Sequence, residues 1–156
     1  MKKKRKNQMN RRTFLEYTSK ATAGSVLFNI LPGATKKMTS IEGEIKIALI
    51  GCGGRGTGAA SQALEADPGV RLVAMADVFP DQADTCFQSL SKKYADTDRI
   101  NVNAERIFIG FDGYKKAIEM ADTVILTTPP GFRPLHFEYA ISRNKHVFME
   151  KPLATD

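Results

Sequence analysis

The chain has 156 residues, enough for one domain, and its 42% hydrophobic and 26% charged content is that of a globular protein. The net charge of +6 is unevenly placed: residues 1–40 hold ten Lys/Arg against one acid, Glu16, whereas residues 41–156 hold thirteen Lys/Arg against sixteen acids. The basic excess therefore belongs to the first segment, and the remainder lacks the clustered cationic surface that nucleic-acid binding requires.

Residues 1–40 read as a leader. Lys2 to Lys6 form a basic opening, Arg11-Arg12-Thr13-Phe14-Leu15 follows, and then comes an uncharged stretch from Ala21 to Thr35. Fifteen residues that include Gly24, Ser25 and Asn29 are too few and too polar for a helix spanning about 30 Å of hydrocarbon, so no stable membrane span is expected. A basic run alone is usually no more than a disordered tail. The order of segments, with paired arginines before Phe-Leu, resembles a twin-arginine export signal, which places the protein in the periplasm and the export machinery among its partners. Without a working leader the location is the cytoplasm. Asn10 and Glu16 depart from the usual pattern, and Pro32-Gly33-Ala34 is a weak cleavage site.

From residue 41 onward, strand and helix patterns alternate. Ile45 to Ile50 is a short apolar run, as for a strand buried on both faces. A glycine-rich loop, GCGGRGTG, leads into a helix from about Gly56 to Ala66, which Asp67-Pro68-Gly69 stops. Arg71 to Asp77 reads as the second strand. Pro80 opens a helix with Ala83, Cys86, Phe87, Leu90 and Tyr94 on one face. The polar stretch between Ala95 and Glu105 reads as a loop. Arg106–Ile109 is a third strand, and a short helix after Gly113 turns Tyr114, Ala117 and Ile118 inward. Asp122–Thr127 is the fourth strand. A helix from Pro134 to about Arg143 follows, with Asn144 as its left-handed cap, and Lys145–Met149 is the fifth strand. This order predicts an α/β fold, a doubly wound parallel sheet of Rossmann type.

Gly51, Gly53 and Gly56 form G-x-G-x-x-G between a strand and a helix, the context in which that motif binds dinucleotides. Gly51 permits the turn, Gly53 lets a pyrophosphate approach the main chain, and Gly56 lets helix and strand pack closely. Uncapped N–H groups of the helix then face the phosphates. Asp77 closes the second strand, where a carboxylate accepts hydrogen bonds from ribose hydroxyls and repels a 2′-phosphate, so NAD is expected over NADP. Cys52, Gly54 and Arg55 complete the loop; Arg55 either leans on the phosphates or faces solvent. Cys52 and Cys86 imply no disulfide framework and read as buried thiols, and His136 and His146 share no metal-ligand spacing.

IALIGCGGRGTGAA, MADVFPD, TTPPGFRPLHFEYAI and HVFMEKPLATD, in that order, resemble the N-terminal domain of the glucose-fructose oxidoreductase/inositol dehydrogenase/rhizopine-catabolism (Gfo/Idh/MocA) family over residues 45–156. The resemblance implies hydride transfer between a bound nicotinamide cofactor and a sugar, cyclitol or related polyol. It implies that Thr128 and Pro129 line the nicotinamide half and that Glu150 sets the loop. Lys151 would be the catalytic group at the cofactor ribose and the reacting hydroxyl, and Pro152 would follow a cis bond. Arg133 stands where many members carry His, open between binding a polar substrate group and facing water. The resemblance further implies a sixth strand, a second α/β domain with the usual catalytic His and Asp, and homo-oligomer contacts made by that domain. This chain then reads as the incomplete first domain. Two other readings remain open: a non-catalytic nucleotide-binding fragment, and an NAD-dependent glycosidase that recycles its cofactor internally.

Overall fold

The computed structural model describes residues 43–155. The leader, with its paired arginines, lies outside the described residues. The strands are β1 (Ile45–Ile50), β2 (Val70–Asp77), β3 (Ile107–Ile109), β4 (Thr123–Leu126) and β5 (His146–Met149). They form one sheet in the order β3-β2-β1-β4-β5, and every pairing is parallel. The helices are α1 (Gly54–Ala66), α2 (Pro80–Lys93), α3 (Gly113–Glu119) and α4 (Arg133–Ser142). This is the expected doubly wound sheet, and element ends differ from the sequence reading by one or two residues. Among the described residues no helix is long and apolar enough to cross a membrane.

Alternation along β1 divides the core in two. Ile47 and Leu49 face α1 and α2, where Leu64, Cys86 and Leu90 pack with Leu72 and Met75 of β2. Ala48 and Ile50 face α3 and α4, where Tyr114, Ile118 and Ala140 pack with Val124 and Leu126 of β4. The β1–β2 register shifts between Ile47 and Ala48. Its effect is that Val73 and Ala74, successive residues, both enter the α3/α4 core, and Met75 then returns to the other. Burial of β1 on both faces explains why its sequence is nearly continuous in apolar residues.

The stretch between Ala95 and Glu105 is more ordered than a polar loop. Leu72 donates to Arg99 O at 2.9 Å and Asn101 donates to Leu72 O at 2.8 Å, so Ile100 bridges to the edge of β2. Ile100 and Val102 are the apolar residues of that segment and rest on the α1/α2 core, which gives it a reason to follow the sheet. A 3-10 turn at Ala104–Arg106 then delivers the chain to β3. Asn144 has a φ of 55°, the left-handed conformation expected after α4.

The β1–α1 turn depends on two glycines. Gly51 has a φ of +94°, and a Cβ there would lie 2.8 Å from Thr128 N. A Cβ on Gly56 would lie 2.0 Å from Gly51 O, so the helix can start against the strand only without a side chain. Gly58, one turn into α1, has nothing within 4 Å of its Cβ position. Gly56→Ala is therefore expected to destabilise the domain by about 3 kcal/mol or more. Gly58→Ala is expected to leave stability unchanged or raise it by up to about 1 kcal/mol. Urea denaturation of the two variants checks the contrast.

Candidate functional site

The loops that leave the carboxyl ends of β1, β2, β3 and β4 enclose a cleft of about 500 Å³. Its walls include Gly51 and Gly53 from the first loop, Asp77 and Phe79 from the second, Phe111 from the third, and Thr128 and Pro129 from the fourth. The position follows from topology: β1 and β4 are neighbours, yet their connections leave in opposite directions, so the loops diverge and leave space between them.

Thr127 holds the two sides of that divergence together. Its amide donates to Ile50 O at 2.9 Å, and its hydroxyl is 2.6 Å from Gly51 O. Gly51 N donates to Ala76 O at 2.8 Å, tying the turn to β2 as well. Gly53 is the N-cap of α1 in extended conformation, and no side chain caps the helix. Its α-carbon faces space: a Cβ there would meet nothing nearer than Gln82 Oε1 at 3.9 Å. The first-turn N–H groups of α1, which have no intrahelical acceptors, lie at this same opening. Uncapped amides beside bare main chain suit an anion such as a diphosphate.

Asp77 faces the same opening. Its Oδ2 accepts from Cys52 N at 2.6 Å and its Oδ1 accepts from Phe79 N at 2.9 Å. Both contacts fix the carboxylate, and each oxygen retains a lone pair for a further donor such as a sugar hydroxyl. Cys52 presents only its main chain here. Its side chain is buried in the α1/α2 core beside the buried Cys86, 3.6 Å from Ala76 O. Contact with Cys86 and burial push the Cys52 thiol far above its ordinary range, which keeps it protonated and unreactive.

Arg55 is largely open to solvent, one of the two sequence alternatives, and has a partner that the sequence did not indicate. Its guanidinium forms an ion pair with Glu150, across 95 residues of sequence, while its side chain stays 59% exposed. The pair holds the Glu150 carboxyl below the usual carboxylate range. Glu150 N donates to Leu126 O at 3.0 Å, so the Glu-Lys-Pro segment leaves the sheet in a fixed direction. The Lys151–Pro152 bond is cis, as the resemblance implied, and Lys151 is exposed beyond the cleft lining.

Arg133 does not face water, and it is not among the residues that line the cleft. It is 6% exposed, and it donates from Nε to Thr128 O at 2.6 Å, from Nη1 to Glu150 O at 2.7 Å, and to Pro152 O.

His136 and the aromatic walls were not assigned to the site from sequence. His136 is buried, shares a 3.1 Å hydrogen bond between Nδ1 and the Thr128 hydroxyl, and lies 4.3 Å from the Tyr114 ring centre. Phe111 and Phe132 face each other at 6.1 Å across the rim. Their signal was present: Phe79, Phe111 and Phe132 each follow a strand end within a few residues, where a doubly wound sheet places its ligand cleft.

A cleft at the carboxyl edge of a parallel sheet, opening on a glycine turn and an uncapped helix, defines the class as a dinucleotide-binding Rossmann domain. Residues 45–156 match the oxidoreductase family Gfo/Idh/MocA, NAD-binding Rossmann fold, and the chain belongs to that family. Its sheet is the NAD-binding domain of that family. The scyllo-inositol dehydrogenase of Lactobacillus casei, solved with bound NAD(H) and scyllo-inositol, is 25% identical with a TM-score of 0.52, over 72% of this chain and 29% of that one. The myo-inositol 2-dehydrogenase of Lactobacillus plantarum is 25% identical with a TM-score of 0.56, over 72% and 30%. The WlbA dehydrogenase of Bordetella pertussis, at 22% identity and a TM-score of 0.52, shares the fold. The chain thus spans about 30% of the length of these solved structures. A comparison with curated proteins returned no match.

Burial lowers the pKa of His136 from 6.5 to about 4. The folded domain then holds this imidazole neutral while the unfolded chain protonates it near pH 6.5, so protonation favours unfolding. Stability is expected to be full above pH 6.5 and to fall as pH drops toward 4. In His136→Gln that part of the pH dependence should vanish. Melting temperatures of both proteins across pH 4–7 check this.

Proposed function

We propose that this chain is the cofactor-holding part of an oxidoreductase that moves a hydride between bound NAD and a sugar, cyclitol or related polyol. The observation that carries the reading is the open space at Gly53, bordered by uncapped amides of α1 and by the Asp77 carboxylate. Gly51, Cys52, Gly53, Gly54 and Gly56 would bring main chain to the diphosphate, with Arg55 at the loop's outer edge. Asp77 would accept from the adenosine ribose hydroxyls, and its charge would disfavour the 2′-phosphate of NADP. Thr128 and Pro129 would line the nicotinamide half.

NAD, when bound, supplies the hydride acceptor. The protein's share is orientation and proton handling. Lys151 follows β5, one strand beyond Thr128; as a neutral amine it would take the proton of the reacting hydroxyl as hydride leaves the carbon for NAD, and as an ammonium it would return that proton in the reverse direction. Glu150 and Pro152 would fix the segment that carries it. The substrate class rests on the family and on the scyllo-inositol in the Lactobacillus casei relative. A second α/β domain would supply the rest of the substrate wall and any oligomer contact.

The paired arginines at Arg11 and Arg12, the basic opening and the uncharged stretch behind them support export by the twin-arginine route. That route carries folded protein, so a bound cofactor could travel with its domain. With residues 1–40 fused to a reporter, Arg11→Lys together with Arg12→Lys is expected to abolish export. Unchanged export of the double variant would remove the localisation.

Calorimetric titration with NAD tests the binding site. Gly53→Val should fold, because its Cβ position is open, yet lose NAD binding at least about a hundredfold through occlusion of the diphosphate. Asp77→Ala should weaken NAD by at least about tenfold and narrow its margin over NADP. NAD affinity unchanged in Gly53→Val would refute the assignment.

A further inference from the structure

We propose that Arg133 is a positioning residue for Lys151, a clamp that fixes the main chain on both sides of it. The inference rests on the reading of Lys151 given above.

The guanidinium is nearly fully buried, and its hydrogen-bond partners are three main-chain carbonyls rather than a carboxylate. Two of them, Glu150 O and Pro152 O, belong to the residues directly before and after Lys151. The third, Thr128 O, belongs to the loop that borders the cleft beside Gly51. One cation thus joins the β4–α4 loop to the segment after β5. Three carbonyl dipoles converge on it, an arrangement that is unfavourable without a positive charge at its centre.

The fork shape matters. Nε and Nη1 donate in different directions from one rigid plane, so a single side chain spans separate peptides. A lysine would bring a charge but only one nitrogen. The other end of the segment has its own tether, the ion pair of Glu150 with Arg55 in the glycine loop. Lys151 itself is exposed and lies in irregular chain, so nothing in a helix or ladder orders it. Its placement depends on contacts made by its neighbours, and Arg133 makes those on both sides.

The carbonyls of this segment lie near the surface, where water can replace the lost donor. Removal of Arg133 should therefore loosen the segment while the sheet and the glycine loop persist. Loss of order at Lys151 should separate from loss of NAD binding.

The test uses 13C-dimethylation of lysines in the 156-residue chain, with the Lys151 resonance assigned by its absence in Lys151→Ala. In the wild type, saturating NAD should move this resonance away from those of solvent-exposed lysines. In Arg133→Ala, NAD affinity should stay within about threefold while the Lys151 resonance remains with the exposed set. Arg133→Lys should bind NAD equally and give a partial displacement; it decides the matter should Arg133→Ala not fold. A Lys151 resonance that moves in the Arg133 variants as in the wild type overturns the clamp alone. A parallel collapse of NAD affinity also overturns it, since Arg133 would then be supporting the cofactor site itself. A wild-type resonance that NAD leaves unmoved removes Lys151 from the nicotinamide site, and the proposal with it.

Discussion

The close approach of two backbones at the mouth of β1 is the constraint on which the domain depends. Gly51 O occupies the position a side chain on Gly56 would need, and the Gly51 turn bends at a positive φ against Thr128. That contact sets where α1 starts, and so where its free amides point. It also brings β4's exit loop against the glycine turn, with the Thr127 hydroxyl joining the two. A larger residue at either glycine would move the helix off the strand and close or distort the cleft. The cleft is therefore a consequence of how β1 and α1 pack, and its floor at the glycine turn is main chain.

A second layer of contacts links this turn to the Glu150-Lys151-Pro152 segment. Arg55 reaches from the glycine loop to the Glu150 side chain, and Arg133 reaches from the start of α4 to the carbonyls around Lys151. The two arginines approach the Glu-Lys-Pro segment from different helices. Each is exposed to a different degree: the Arg55–Glu150 pair is open to solvent and contributes little to stability, whereas the Arg133 side chain is buried and spans three carbonyls of two separate segments. Arg133 is thus the structural partner and Arg55 the more adaptable one. Arg55 also sits beside the amides that would receive a diphosphate.

Most of the architecture was legible in the sequence because each local signal agreed with the next. The apolar run of β1, the Asp67-Pro68-Gly69 stop, Pro80 at a helix start and Asn144 at a helix end all carry their physical reason in adjacent residues. The turn at Gly51 and the close packing at Gly56 were equally legible, since a missing Cβ has consequences at known spacings. What was not legible involves main-chain atoms distant in sequence. Arg133 binds carbonyls 17 and 19 residues away, and any residue type displays a carbonyl, so no pattern of side chains marks them. Arg55 and Glu150 are 95 residues apart. The register shift opposite Val73 leaves no trace in RLVAMAD, which reads as an even run. His136 was visible as a residue but not as a neighbour of Thr128, because its burial depends on how α4 docks against Tyr114.

The account reduces to an arrangement of backbone amides and one carboxylate around a diphosphate-bearing nucleotide. A 1H–15N titration of the chain with NAD reads those amides directly. Saturable shifts should concentrate at Gly53 to Gly56, at Val78 and Phe79 beside Asp77, and at Thr128. Shifts that are absent, or that gather instead at the N-terminal ends of the strands around Lys46 and Asn101, would contradict it.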